Sequence, residues 1–471
     1  MRSTFLKSFI PLLDQRMKNI FNLCVLFLLM SGSESYAGDA GPTGTRLFYQ
    51  DENAAVLRWL DVSGANQPQF GSDSVVTGLP KLDSERQRLV QMQPLGKYLV
   101  VGVRDDAEGE HGSGWIAVRT GVNGSQHGNH SHWSYKDKPE TASININAAQ
   151  GNPAHVYRYG NAVYLANDTK NGFTRLDERA IDSGEALKEG FGFQSGGGGH
   201  ITLSVISDRI GYSTWIDGGG PNKGRVDVVR LKRSGGGEIA YSLHLEHGVL
   251  HGATMRYGKA FFAPSSGIYW LKADSTGRQS PESVKIHRID LGVSSEDESP
   301  LRAGSFTGYR NYVLCTVGKG SDASLCLLDA RRTPPAMTML PLNIDEGLSP
   351  VGLKVVRTIA GKRLAFVFAD KPGDVERDEF LKVIDLDPNG NLRFDEAKVT
   401  ATLSVGASEV VGHSGHHAIT FDADGRFAYF SNPGDGTLST FSLTDLVVVA
   451  ETPVEGKPGA LIAIGGREVK H

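Results

Sequence analysis

The sequence predicts an all-β chain folded as a single β-propeller. Three observations predict it: a unit of short apolar strands recurs along the chain, glycine-rich turns separate the strands, and one lone strand near the C-terminus completes a defective first unit. Glycine supplies 58 of the 471 residues, which suits many tight turns and not a helical fold. Length alone suggests about three domains. The repeat overrules it, because each unit can bury its apolar face only against a neighbour.

The unit is an alternating apolar strand, a tight turn of Gly, Asn, Asp or Arg, a second apolar-aromatic strand, a Gly/Asp-rich turn, and a third strand ending in Leu/Ile-Asp. Period-2 alternation with β-branched and aromatic residues marks these as strands. The first copy, RLFYQDENAAVLRWLDV from Arg46, has the later strands but no first strand. A copy begins near Pro94, and others begin at His155, His200, His251, Ala303, Val351 and His416. Their starts lie ~45 to 65 residues apart, the range of propeller blades. Gly459 to Gly465 form the lone strand, which supplies the missing inner strand of the first blade and closes the ring. The count is eight blades, with seven the alternative if one copy is split differently. Residues 178–189 are the best candidate for a short helix.

The N-terminus reads as a cleaved signal peptide over residues 1–37. Lys18 precedes an apolar run from Leu23 to Met30, and Ser35-Tyr36-Ala37 makes a small-x-small cleavage site. The run is shorter than the ~20 residues of a membrane span. Met17 is an alternative start, and Cys24 has no small residues ahead of it to mark lipidation. The expected plan is a flexible segment over 38–44, the propeller over 45–466 and a tail over 467–471. Loss of residues 1–37, with four basic and two acidic residues, takes the formal net charge from −4 to −6. A mildly acidic surface argues against nucleic acid and anionic membrane as partners. Cys315 and Cys326 would face each other across one hairpin, and in an exported chain such a pair reads as a disulfide, with two buried thiols as the alternative.

Histidine carries the chemistry. His155, His200, His251 and His416 each open a repeat, so the ring brings them to one rim of the central channel. About four nitrogen ligands at ~2.0–2.1 Å are what zinc takes. Taken singly, any of them reads as a turn cap. Four at matching positions do not. His130 and His132 are i and i+2, on one face of an extended strand, in a Gly/Asn-rich segment able to fold over the mouth as a mobile arm. Glu246 and His247 precede His251 and offer a ligand or an orienting partner. His413 and His417 stand in the same relation to His416, whereas His111, His244, His287 and His471 read as ordinary surface or core residues. Gly196 to Gly199 reads as a hinge beside His200 rather than a phosphate loop. No Gly-x-Ser-x-Gly elbow or His-Glu-x-x-His helix occurs. Imidazole also suits copper and nickel, though the lack of Cys or Met near the cluster argues against Cu(I). Which histidines form the coordination shell stays open.

These residues resemble the AztD-type periplasmic zinc metallochaperones. The resemblance rests on His130-Ser-His132 followed by an aromatic, Gly151-Asn-Pro-Ala-His155-Val before an Asn-Ala-Val-Tyr strand, and His200 opening the next blade. It continues through Leu250-His251-Gly-Ala with Gly-Lys-Ala-Phe-Phe and through His416, over most of residues 90–465. It implies a monomeric periplasmic protein that binds Zn2+ and hands it to the solute-binding protein of a zinc ABC transporter, without enzymatic activity. The chain departs from the family pattern at His247 and Ala263, where a cysteine pair is expected, and in lacking a His/Asp-rich tract after Ala37. A second, auxiliary zinc site is therefore not expected. Two other readings stay open: a metal-dependent, lactonase-like propeller hydrolase that would use Glu246, and an interaction propeller with structural histidines. An all-His site is expected to lose zinc below about pH 6.5 as its imidazoles protonate.

Overall fold

The computed structural model describes residues 42–64, 67–106, 111–127, 130–373 and 378–468. The expected signal peptide, Cys24, His471 and most of the expected tail lie outside the described residues. The regular structure of the described residues is almost entirely strand, arranged as eight antiparallel sheets in sequence order around a ring. Blade 1 is built from Pro458–Ile464, Thr43–Asp51, Val56–Ser63 and two short outer pieces, Gln69–Phe70 and Ser74–Val75. The C-terminal strand pairs with the first strand of the chain, with Tyr49 opposite Leu461 and Phe48 opposite Ile462. The ring thus closes as the lone strand predicts. Strand structure begins at Thr43, inside the segment expected to be flexible, and the Glu468 N–H donates to the Thr43 carbonyl at 2.9 Å.

Blades 2 to 8 begin with the inner strands Gln87–Leu95, Pro153–Tyr159, Leu203–Ile206, Ala253–Arg256, Ala303–Tyr309, Ser349–Arg357 and Ile419–Phe421. Packing between blades explains the pattern of apolar residues. Second strands such as Ala162–Asn167, Tyr312–Val317 and Phe427–Asn432 are buried along their whole length. Alternate side chains of one strand face different neighbours: Leu314 packs with Ala365 and Val367 of blade 7, whereas Val313 and Cys315 pack with Phe261 and Trp270 of blade 5. Each fully buried side chain of this size contributes roughly 1.5–3 kcal/mol. Outer strands such as Lys398–Ser404 have one exposed face and alternate. The helix expected over 178–189 is two pieces, Glu178–Asp182 and a 3-10 turn Glu185–Leu187, parted at Gly184, whose φ of 72° no helix accommodates.

Cys315 and Cys326 are directly opposed in the hairpin, as expected, but they are free buried thiols and not a disulfide. Directly opposed residues on neighbouring strands hold their Cβ atoms ~4.5–5.5 Å apart, wider than the ~3.8 Å typical of a disulfide. The strands are kept at that spacing by the antiparallel ladder between Tyr312–Val317 and Ser324–Asp329. A hydrogen bond to Cys326, together with burial, holds the Cys315 thiol well above its usual value, so it stays protonated.

The inner strands of blades 2, 3, 6 and 7 each carry a bulge, between Leu89 and Met92, Pro153 and Val156, Ala303 and Phe306, and Val351 and Lys354. A bulge re-aims the residues within it. His155 lies in one of these bulges, near the end of the channel where the inner strands begin. Closure depends on the last strand: Leu461→Asp places an unpaired carboxylate in the layer shared by Leu47, Tyr49 and Tyr429. The expected cost is about 3–5 kcal/mol, read as a lower urea midpoint.

Candidate metal centre

Three of the predicted histidines meet at the channel mouth. His155, His200 and His251 come from the start of blades 3, 4 and 5, and their Nε2 atoms converge. His155 Nε2 lies 2.9 Å from His200 Nε2, which lies 3.2 Å from His251 Nε2. A tetrahedral ion with nitrogen ligands at ~2.0–2.1 Å needs those nitrogens ~3.3 Å apart. Two of the three spacings are close to that value, and the ligand atoms of all three rings lie within 4.8 Å of one another. The three are not at one repeat position. His155 lies within its strand, whereas His200 and His251 precede theirs; the bulge brings His155 into line.

Local structure fixes each ring. The His251 N–H donates to the Ala263 carbonyl at 2.9 Å. The Asp168 carboxylate accepts the Ile201 N–H at 3.0 Å through Oδ1, and Oδ2 faces His200 Nδ1 at 3.3 Å. Arg104 reaches the same Oδ2 at 3.3 Å. A carboxylate behind an imidazole orients the ring and directs its Nε2 lone pair outward. The glycines before His200 are no hinge. Gly197 N–H donates to Asp227 at 2.9 Å, Gly198 N–H to Thr214 at 3.2 Å, and a Cβ on Gly197 would meet Ser213 Oγ at 2.3 Å. They form a packed turn that sets His200 in place.

Burial, followed by the neighbouring His200 and His251, pushes His155 down to about 3. Burial, followed by His200 and Arg302, pushes His251 down to about 4. Both rings are therefore held in the neutral form near neutral pH. His413 also acts on both rings. It sits exposed beside the turn closed by Val411 and Ser414, its ring nearly parallel to that of His251 with centroids 6.3 Å apart. The sequence pairs His413 only with His416; the loop that carries it across the mouth is what makes it the neighbour of His251.

His416 stands apart from the triad. His416 Nδ1 lies 3.1 Å from Asp370 Oδ2 and His417 Nδ1 lies 2.7 Å from Asp370 Oδ1. His417 is buried, stacked on Phe368, and its Nε2 donates to the Gly406 carbonyl at 2.9 Å. With an acceptor at each ring nitrogen, His417 is an imidazolium and has no lone pair for a metal. The nearby Asp370–Glu379–His417 group is thus an ion-paired brace; Glu379 is occupied by the Lys371 and Ser408 N–H groups.

The other predicted ligands lie elsewhere. The hairpin Asn123–His127 and His130–Ser134 is inserted between the third and fourth strands of blade 2, where Arg119 is opposite Glu140. That end of the blade also holds the Lys97 turn. Tyr135, just past the hairpin, donates to the Gly466 carbonyl beyond the end of the closing strand. His130 and His132 therefore belong to the far face, roughly 20 Å along a seven-residue strand from the triad. They cannot serve as its mobile arm. His247 Nδ1 faces the Tyr269 hydroxyl at 2.8 Å, and that hydroxyl donates to Glu246 at 3.3 Å. Both residues are engaged in a local network and do not join the triad. His111 pairs with Arg86, His244 with the Pro221 carbonyl, and His287 stacks on Trp270, as the bland reading expects.

No family model matches the chain, and no curated protein matches it in sequence. Among solved structures it is similar to two of AztD from Citrobacter koseri. The apo form is 15% identical and the other 16%, each with a TM-score of 0.59 over 91% of this chain and 100% of that one. The fold is an AztD-type β-propeller.

Burial alone would lower His417, but the hydrogen bond and charge of Asp370 outweigh it and hold His417 above its ordinary 6.5. Burial alone would raise Asp370, but its bonds to His416 and His417 hold it below its ordinary 3.8. The His417 contribution is full below 6.5 and is lost as pH rises through its higher folded value. The Asp370 contribution is full above 3.8 and is lost as pH falls through its lower folded value. Asp370→Asn should therefore cost most, about 3–5 kcal/mol, between roughly pH 4 and 6.5. Thermal midpoints across pH should show the gap to wild type narrowing on both sides.

Proposed function

We propose that this chain is an exported, periplasmic zinc-binding protein that carries Zn2+ to the solute-binding protein of a zinc ABC transporter. The observation that carries the proposal is the convergence of three imidazole nitrogens within 4.8 Å of one another, two of the three spacings being close to those of a tetrahedral site. All-nitrogen donation suits Zn2+, and His413 is the nearest candidate for a fourth ligand. Export rests on the signal sequence, and the partner rests on the resemblance to AztD-type chaperones.

Binding fits this site better than hydrolysis. A hydrolytic metal needs a carboxylate base beside an open coordination position. Among the described residues, the triad is grouped with no carboxylate ligand. Asp168 is occupied behind His200 and Glu246 is tied to Tyr269. Delivery requires ligands that leave one at a time, and the exposed His413 loop now takes the role first expected of His130 and His132.

The purified protein is expected to bind one Zn2+ and to pass it to a zinc-free solute-binding protein, while leaving model lactones and esters intact. Lactone turnover with no transfer would favour the hydrolase instead. Asp168→Asn should weaken zinc about 10–100-fold, and His200→Ala more than that, by competition against a chelator. Protons compete with zinc for His155 and His251 only towards about 3 and 4. The acid loss of zinc should therefore set in at lower pH than the ~6.5 of an ordinary imidazole; a midpoint at or above 6.5 would contradict these ring environments.

A further inference from the structure

Blade 2 contributes no histidine to the triad. Its inner strand bulges between Leu89 and Met92 as that of blade 3 does between Pro153 and Val156, so Gln91 holds in blade 2 the place of His155 in blade 3. Gln91 Oε1 accepts the Val156 N–H at 3.0 Å. That group only donates, which fixes the orientation of the amide. Gln91 Nε2 is then left 3.0 Å from His155 Nδ1, and this ring nitrogen must accept. A neutral imidazole whose Nδ1 accepts carries its proton on Nε2, the atom 2.9 Å from His200 Nε2. His200 has the opposite tautomer, because its Nδ1 faces Asp168 Oδ2 at 3.3 Å. Gln91, His155, His200 and Asp168 thus form one donor-to-acceptor chain that is complete without a metal.

We propose that Gln91 is a positioning residue that holds His155 in the tautomer whose Nε2 cannot ligate, and thereby weakens zinc binding and speeds zinc release. The proposal rests on the zinc reading above and adds how the site lets its cargo go. For His155 to ligate, the proton on Nε2 must leave to water and another must bind Nδ1, with no net change in charge. The Gln91 amide then opposes a donor with a donor, and turning it over leaves the Val156 N–H without its acceptor. Among the three rings of the triad, His155 is therefore the last to join and the first to leave.

The test is Gln91→Glu, whose carboxylate accepts from both Val156 N–H and His155 Nδ1–H. Nitrogen-15 NMR of the metal-free proteins should show His155 protonated at Nε2 in wild type and at Nδ1 in the variant. With Zn2+ alone against a chelator, the variant should bind about 10–100-fold tighter and release correspondingly more slowly. Gln91→Met, which removes the amide without adding charge, should mix the tautomers and bind zinc at least as tightly as wild type. Weaker binding in either variant overturns the proposal, as does Nδ1–H on His155 in wild type. The tautomer is read without metal, so a wrong assignment of Gln91 is distinguishable from a chain that binds no zinc at all, which would overturn both readings.

Discussion

The constraint on which this structure depends is that each sheet must bury both of its faces against other sheets. Phe366 and Phe368 of blade 7 lie against Phe430 and Phe441 of blade 8, and Tyr429 and Leu438 of blade 8 lie against Tyr49 and Leu461 of blade 1. No blade can satisfy that alone, so the sheets continue around until the last strand of the chain meets the first. Closure crowds the inner strands around one axis. His155, His200 and His251, 45 and 51 residues apart in sequence, become hydrogen-bonding neighbours for that reason. The apolar layers place the blades, and the packed turns before His200 and His251 set their rings close together.

One device recurs at the mouth and has two outcomes. An aspartate at the end of a second strand receives the first residues of the next blade: Asp168 takes the Ile201 N–H and His200, and Asp370 takes the His417 N–H, His416 and His417. What lies at the far side of each ring decides the chemistry. His417 Nε2 meets the Gly406 carbonyl, so the ring keeps both protons and becomes part of an ion pair. His200 Nε2 meets two other imidazoles, so its lone pair points into a shared space. The same carboxylate placement thus yields a brace in blade 8 and a candidate ligand in blade 4.

Electrostatics disfavours protons at the triad. Burial, together with the neighbouring imidazoles and with Arg104 and Arg302, makes a proton on His155 or His251 costly. A divalent ion meets the same repulsion from the arginines, but it is held by several lone pairs at once, whereas a proton is held by one.

The sequence by itself determined the propeller, its eight blades and its closure, because strand period, turn residues and the orphan strand at Gly459 are local features that any register of the ring preserves. It also determined that His155, His200 and His251 belong to one mouth. Only the tertiary structure decided the rest. His130 and His132 look like ligands in one dimension, but the parity of strand connections sends an insertion between third and fourth strands to the opposite face. His413 joins the mouth through a loop whose path no periodicity encodes. Cys315 and Cys326 face each other as their hairpin requires, and sheet spacing keeps them apart. Gln91 carries no chemical signature of its own; a bulge shared with blade 3 and the fixed direction of the Val156 N–H give it a role.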